Sequence, residues 1–333
     1  LSAPDGNYEE LEISASPSFG DPSTDGENVA CGLRPDGSID CWGQDSNPKT
    51  SPPTDQTFVT LTLGHYHGCG LTTEGSVTCW GIDQYIGPDQ NYLAPPDGLT
   101  DVVDVAAGDR WTCALTNGGN DMQCWGGIEY QTTQFQLDEK MTSISMYYFR
   151  SQVCGLTEDG DAKCMIADEP NRETVGLAPT RAEFVDVAAG LHIACGLKAD
   201  DTVDCWGNLD HYFDRAFRFI GDDYVAVDAG GGVNNPLACA LTSAGEINCW
   251  GRGDGHTDIE VFSPAHDDYV SVEVPNGTTP YKGCGVRENG DLHCWPESGE
   301  PPAGSFTDVA GDYETGCGLL ESEAPDVTCW NGD

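Results

Sequence analysis

Positive charge is what this chain has least of. Only 14 of its 333 residues are lysine or arginine, five of them lysine, against 56 aspartates and glutamates, for a formal net charge of −42. Binding to phosphate needs a basic footprint that such a chain cannot assemble, so no nucleic-acid partner is expected. Long apolar runs are missing too: no stretch reaches the 18 or more residues of a spanning helix, and no membrane insertion is expected. The short catalytic signatures are also absent. There is no Gly-x-Ser-x-Gly elbow, no HExxH helix and no P-loop, and the acidic turns, such as Asp21 to Glu27, lack EF-hand spacing. Of the seven histidines, His67 and His192 stand just ahead of a cysteine, where other copies of the same motif have Trp111 or Lys282, and read as packing or turn residues. No catalytic residue, metal or cofactor is assigned, and a non-catalytic protein is expected.

What the chain does have is cysteine, in a strict order. Its 16 cysteines fall into eight pairs: Cys31 and Cys41, Cys69 and Cys79, Cys113 and Cys124, Cys154 and Cys164, Cys195 and Cys205, Cys239 and Cys249, Cys284 and Cys294, and Cys317 and Cys329. Each pair brackets one short motif, cleanest as CGLRPDGSIDCWG at 31–43 and CGLTTEGSVTCWG at 69–81. The first cysteines advance 286 positions in seven steps, about 41 residues each. A fixed period of that size marks an array in which no unit buries its apolar face alone. It suits a propeller blade, and residues 1–333 read as one repeat domain.

Within each copy the chemistry predicts a β-hairpin. In 69–79, Cys69-Gly-Leu-Thr leads into Thr73-Glu74-Gly75 and returns as Ser-Val-Thr-Cys79. Gly75 falls where a type I turn followed by a bulge requires a positive φ, and Gly37, Gly160, Gly245 and Gly290 share the slot. Cys69 then faces Cys79 across the hairpin, close enough for a cross-strand disulfide. Zinc is the competing use of so many cysteines. Its structural sites favour pairs two to four residues apart, whereas here two hairpins would have to converge on each metal. Disulfides are the expectation, and with them an oxidising compartment: extracellular, cell-surface or periplasmic. Leu1-Ser-Ala-Pro-Asp-Gly resembles a mature start after signal removal, as a trimmed chain also would.

Ahead of each hairpin lies a run of alternating apolar residues, the signal of a half-buried strand. These runs place the repeat starts near residues 8, 58, 102, 142, 184, 224, 269 and 306, with FVTLTLG at 58–64 and FVDVAAG at 184–190 as clear members and TSISMYY at 142–148 as a degenerate one. Each unit is expected to be a three-stranded antiparallel sheet. Linkers of 15 to 20 residues rich in Pro, Gly and Asp, long enough for a fourth strand, join most units.

The pattern strand–G–x₄–C-[AG]-L-x₃–G–x–V–x–C-W-G resembles the regulator-of-chromosome-condensation repeat, and the resemblance runs through essentially the whole chain. It implies an all-β fold, a β-propeller of eight short blades, with seven as the alternative because the family is best known with seven. The short units are more similar to the secreted bacterial members, which include a β-lactamase inhibitor protein, than to the longer nuclear ones. The fourth copy departs from the pattern, with Met165-Ile166 for Trp-Gly, and the seventh ends Trp295-Pro296. Nuclear members are exchange factors for a small GTPase, a role that a disulfide-clipped, exported chain would have no occasion to perform.

Binding remains, and strand direction says where to look. The loop after the first strand and the segment after Cys-Trp-Gly share one face, opposite the glycine hairpin tips. On it, two adjoining copies concentrate aromatic residues and arginine: Tyr147, Tyr148, Phe149 and Arg150 in the fourth, and Tyr212, Phe213, Arg215, Phe217 and Arg218 after the fifth hairpin. These residue types are what interface centres concentrate; wedges between blades are the alternative use of the aromatics. Arg252-Gly253-Asp254 and the acceptor sequence Asn276-Gly-Thr278 fall at turns and carry less weight. The expected partner is another protein or a surface polymer such as a glycan. Homo-assembly into a surface layer, fibre or appendage, and an extracellular hydrolase or lyase, are the alternatives. The acidic surface fits a saline habitat or plain solubility at high concentration.

Overall fold

The computed structural model describes residues 8–15, 28–43, 48–81, 93–108, 110–126, 131–146, 152–166, 182–190, 193–206, 217–218, 223–232, 235–251, 260–264, 266–274, 283–295, 302–312, 315–320 and 327–331. Their regular structure is strand, apart from two single-turn 3₁₀ helices at Pro48–Thr50 and Asn117–Gly119. Eight sheets form, one per repeat. The second is the simplest: an opening strand Phe58–Leu63, a middle strand His67–Thr72 and a closing strand Val77–Gly81, antiparallel and in sequence order. Three linkers supply the fourth strand for which they have room: Gln131–Gln136 on the third sheet, Phe217–Arg218 on the fifth and Glu260–Phe262 on the sixth. The seventh repeat differs from expectation. Its run from 269 forms only isolated bridges, Tyr269 to Arg287 and Glu273 to Cys284, beside the two strands Gly283–Val286 and Leu292–Trp295. There the N–H groups of Val270 and Ser271 both point to the Val286 carbonyl, which uses up one rung and breaks the ladder.

The turn chemistry works as the sequence predicts. Gly37, Gly75, Gly160, Gly245 and Gly290 all have φ between 79° and 84°. The Gly75 N–H donates to the Thr72 carbonyl, closing the turn. In the fifth repeat the same slot holds Asp201 at φ 62°, a conformation that Asp tolerates at some cost. The register sets Cys31 opposite Cys41, Cys69 opposite Cys79, Cys195 opposite Cys205 and Cys239 opposite Cys249, and disulfides join all four pairs across Cα separations of 4.0 or 4.1 Å. Cys113–Cys124 and Cys284–Cys294 are bridged in the same way. Cys154, Cys164 and Cys317 are also disulfide-bonded, and Cys317 faces Cys329 across its hairpin.

Packing explains the Cys-Gly-Leu of the motif. A Cβ at Gly70 would overlap the Phe58 ring, so the missing side chain is what lets the opening aromatic lie flat across the middle strand. Phe58 and Phe184 are buried, and their rings lie 6.1 and 5.3 Å from those of Trp80 and Trp206, the tryptophans of Cys-Trp-Gly.

By contacts the chain divides into two compact units. One is Leu1–Glu158 with Met165–Glu173 and Ala324–Asp326, and the other is Asp159–Cys164, Thr174–Glu323 and Val327–Asp333. Inside each unit the core lies between sheets. In the first unit, Cys69, Leu71 and Val77 of the second repeat pack with Leu99, Val102, Val105 and Trp125 of the third. In the second unit, Cys195, Leu197 and Val203 of the fifth pack with Tyr224, Val227 and Ala229 of the sixth. In both clusters the core is shared between two repeats, as the period implies.

Candidate interaction surface

Neighbouring repeats are joined by polar groups as well as by apolar packing. At several hairpin tips the positive φ turns a carbonyl toward the next repeat. Gly37 accepts from the Phe58 N–H at 2.8 Å, Asp201 from Tyr224 at 2.9 Å, Gly245 from Tyr269 at 2.9 Å and Gly290 from Phe306 at 2.7 Å. A second stitch runs between opening strands. Asp104 accepts from the Ile144 N–H at 2.7 Å, Asp228 from Val274 at 2.6 Å and Glu273 from Gly311 at 3.2 Å, while Glu10 accepts from the Thr60 hydroxyl at 2.9 Å and from the Leu61 N–H. Acidic side chains thus share the inter-repeat joints with backbone carbonyls of the hairpin tips.

Several of these carboxylates are crowded out of water. Burial, reinforced by the Glu10 charge, lifts the Glu12 carboxyl to about 8, and burial lifts Asp228 to about 6. Burial likewise raises Asp104 above the ordinary carboxylate range. A raised carboxyl favours the folded state when protonated. Its contribution is therefore complete below the unfolded value, 4.5 for Glu12, and is lost as the pH climbs through about 8. The melting temperature should fall between pH 5.5 and 8.5, with Glu12 costing roughly 2–4 kcal/mol over that window. Glu12→Gln should flatten the upper part of the curve. An unchanged slope in that variant would contradict the assignment.

Several histidines and buried cations among the described residues have structural partners. His67 is buried, and its Nε2 lies 2.7 Å from the Thr112 hydroxyl of the next repeat, in line with a packing role. Lys49, fully buried, donates to the His65 carbonyl at 2.7 Å. Lys198 pairs with Asp204, and Arg287 with Asp268 at 2.7 Å. Tyr269 meets His293 across its own sheet, as Tyr8 donates to Asp40 at 3.0 Å in the first repeat, so the seventh repeat's histidine occupies a position with a structural duty. Among the described residues no cluster of three His, Cys, Asp or Glu side chains is arranged to hold a metal, and no helix is long and apolar enough to cross a membrane.

Of the surface that the sequence singles out, Phe217 and Arg218 are placed by their backbone. They form the outer strand of the fifth sheet, paired with Cys205 and Asp204. Tyr147, Tyr148, Phe149, Arg150, Tyr212, Phe213 and Arg215 lie outside the described residues. The opening strand Met141–Met146 ends one position before Tyr147.

Comparison with known proteins agrees with this architecture. Residues 58–85 match the model of the Regulator of chromosome condensation (RCC1) repeat. The fold is similar to the CRINKLY WD40 ectodomain of the Arabidopsis thaliana receptor kinase ACR4, at TM-score 0.58 and 22% identity, covering 98% of this chain and 100% of that one. It is similar to Prp20p of Saccharomyces cerevisiae, at TM-score 0.52 and 16% identity, over 81% of this chain and 84% of that one. It is also similar to the computationally designed Ika8 protein, at TM-score 0.60 and 14% identity, over 98% and 97%. The chain is an all-β propeller of RCC1-like repeats, with one sheet per repeat.

Proposed function

We propose that the protein is an exported, non-catalytic recognition propeller. It binds another protein, or a surface polymer, through the loop face carrying residues 147–150 and 212–215, beside which Phe217 and Arg218 form the outer strand of the fifth sheet. The observation that carries this reading is the run of bridged cysteines, with no free thiol among the described residues. Disulfides in this density belong to an oxidising compartment, where a small-GTPase exchange factor would meet no substrate. The receptor-kinase ectodomain with the same fold is a precedent for extracellular use, and Prp20p, studied for its binding to Gsp1p and histones, is one for protein recognition. Carboxylates serve in joints between repeats, which supports a rigid frame for variable loops over a reaction centre.

The test is a partner captured from the native extracellular fraction and then titrated against variants. Tyr148→Ala or Phe213→Ala should weaken binding by about 2 kcal/mol or more with the melting temperature nearly unchanged. A large loss of melting temperature, with full affinity in the surviving folded fraction, would make these rings wedges between blades and end the reading.

A further inference from the structure

The opposite face carries a feature with no structural need behind it. In five repeats the residue after the opening buried position is an exposed valine: Val59, Val103, Val185, Val225 and Val270, with 54, 47, 58, 52 and 52% of its surface exposed. A strand bulge turns it outward. The register skips from Phe58 to Thr60, from Phe184 to Asp186 and from Tyr224 to Ala226, and at Val270 two N–H groups share one carbonyl. Strand propensity and chance account well enough for single exposed valines. They do not account for this set, because the same position is the exposed Glu9, Thr142 and Thr307 in the other three repeats. The fold accepts a polar residue there, yet five copies expose an apolar one.

Three of the five, Val185, Val225 and Val270, lie in consecutive repeats of one unit. Each is seated beside the tip of the preceding hairpin, since Phe184, Tyr224 and Tyr269 donate to the carbonyls of Gly160, Asp201 and Gly245. The tips and strand starts around them are acidic and exposed: Glu183, Asp200, Asp201, Asp223, Asp267 and Glu288. Among the described residues, Lys198 and Arg287 of this stretch are paired with Asp204 and Asp268. Apolar knobs among these exposed carboxylates disfavour a second copy of this chain, whose net charge is also −42, and suit a ligand of opposite character.

We infer that the hairpin-tip face of the fifth to seventh repeats is a second docking surface, whose occupant is a partner-protein segment that mixes aliphatic with lysine or arginine residues. The valines bury its aliphatic side chains, and the flanking carboxylates hold its cations. This surface is independent of the loop face proposed above.

A fluorescent synthetic peptide of alternating lysine and leucine, titrated into the full, disulfide-intact chain at physiological salt, tests it. A lysine–serine peptide of equal charge is the control. In the triple variant Val185→Thr, Val225→Thr, Val270→Thr, which keeps side-chain shape and strand propensity, affinity for the lysine–leucine peptide should drop at least about tenfold with an unaltered melt. The pair Glu183→Gln, Asp223→Asn, with every valine kept, should weaken the same peptide and reduce its salt dependence. Tyr148→Ala should leave it unchanged, which separates failure here from failure of the loop-face reading. Equal affinity of the triple variant and the parent, or equal binding of the lysine–serine and lysine–leucine peptides, would overturn the proposal.

Discussion

Reduction of the folded chain, with no denaturant present, should unfold it. Each described bridge closes a loop with a sequence separation of 10 or 11, and chain entropy assigns a clip of that size up to about 3 kcal/mol. Domains of ordinary stability hold only about 5–15 kcal/mol in all, so six such clips together exceed what the rest of the fold can spare. The sheets have little to fall back on. The core of each repeat is shared with its neighbour, so a hairpin that opens also uncovers the apolar face of the next. Circular dichroism and intrinsic tryptophan fluorescence, followed during titration with a thiol reductant, should show loss of sheet and exposure of the Trp80 and Trp206 environments. Unaltered spectra after complete reduction would mean that the clips are incidental to stability.

Phe184→Ala should be among the most damaging single substitutions, while its immediate neighbour should tolerate change. Phe184 is 4% exposed, lies across Gly196 and packs against Trp206, and its N–H holds the Gly160 carbonyl of the preceding tip. Removing the ring leaves a cavity at the junction of two strands and should cost about 3–5 kcal/mol. Val185→Thr, one residue on, should lie within about 0.5 kcal/mol of the parent. Chemical denaturation of the two variants in parallel checks both values. Comparable losses at 184 and 185 would mean that the bulge does not turn Val185 outward.

Much of this was legible before any coordinates. The glycine slot, the facing cysteines and the alternating opening run are local signals, each tied to one backbone requirement, and eight copies repeat them. Sequence patterns miss what depends on two repeats at once. Nothing in VVDVAAG says that Asp104 will accept from Ile144, 40 residues ahead, because that contact exists only once the third and fourth sheets are side by side. The bulge is equally hidden. Strict alternation predicts a regular strand through Phe58-Val59-Thr60, whereas the register skips from Phe58 to Thr60 and leaves Val59 exposed. The irregular opening run of the seventh repeat, with only bridges at Tyr269 and Glu273, follows from the same cause. The aromatic run at 147–149 reads clearly as composition, but its burial depends on the neighbours of its loop, about which residue pattern is silent.

Peptide mapping under non-reducing conditions, on protein taken from its native source, tests the central claim most directly. An exported array of self-contained cystine hairpins predicts eight linkages and no others, from Cys31–Cys41 through Cys113–Cys124 to Cys317–Cys329, with every thiol oxidised. Bridges that join different repeats, or a population of free thiols in freshly isolated protein, would contradict both the hairpin architecture and the oxidising compartment on which the proposed function rests.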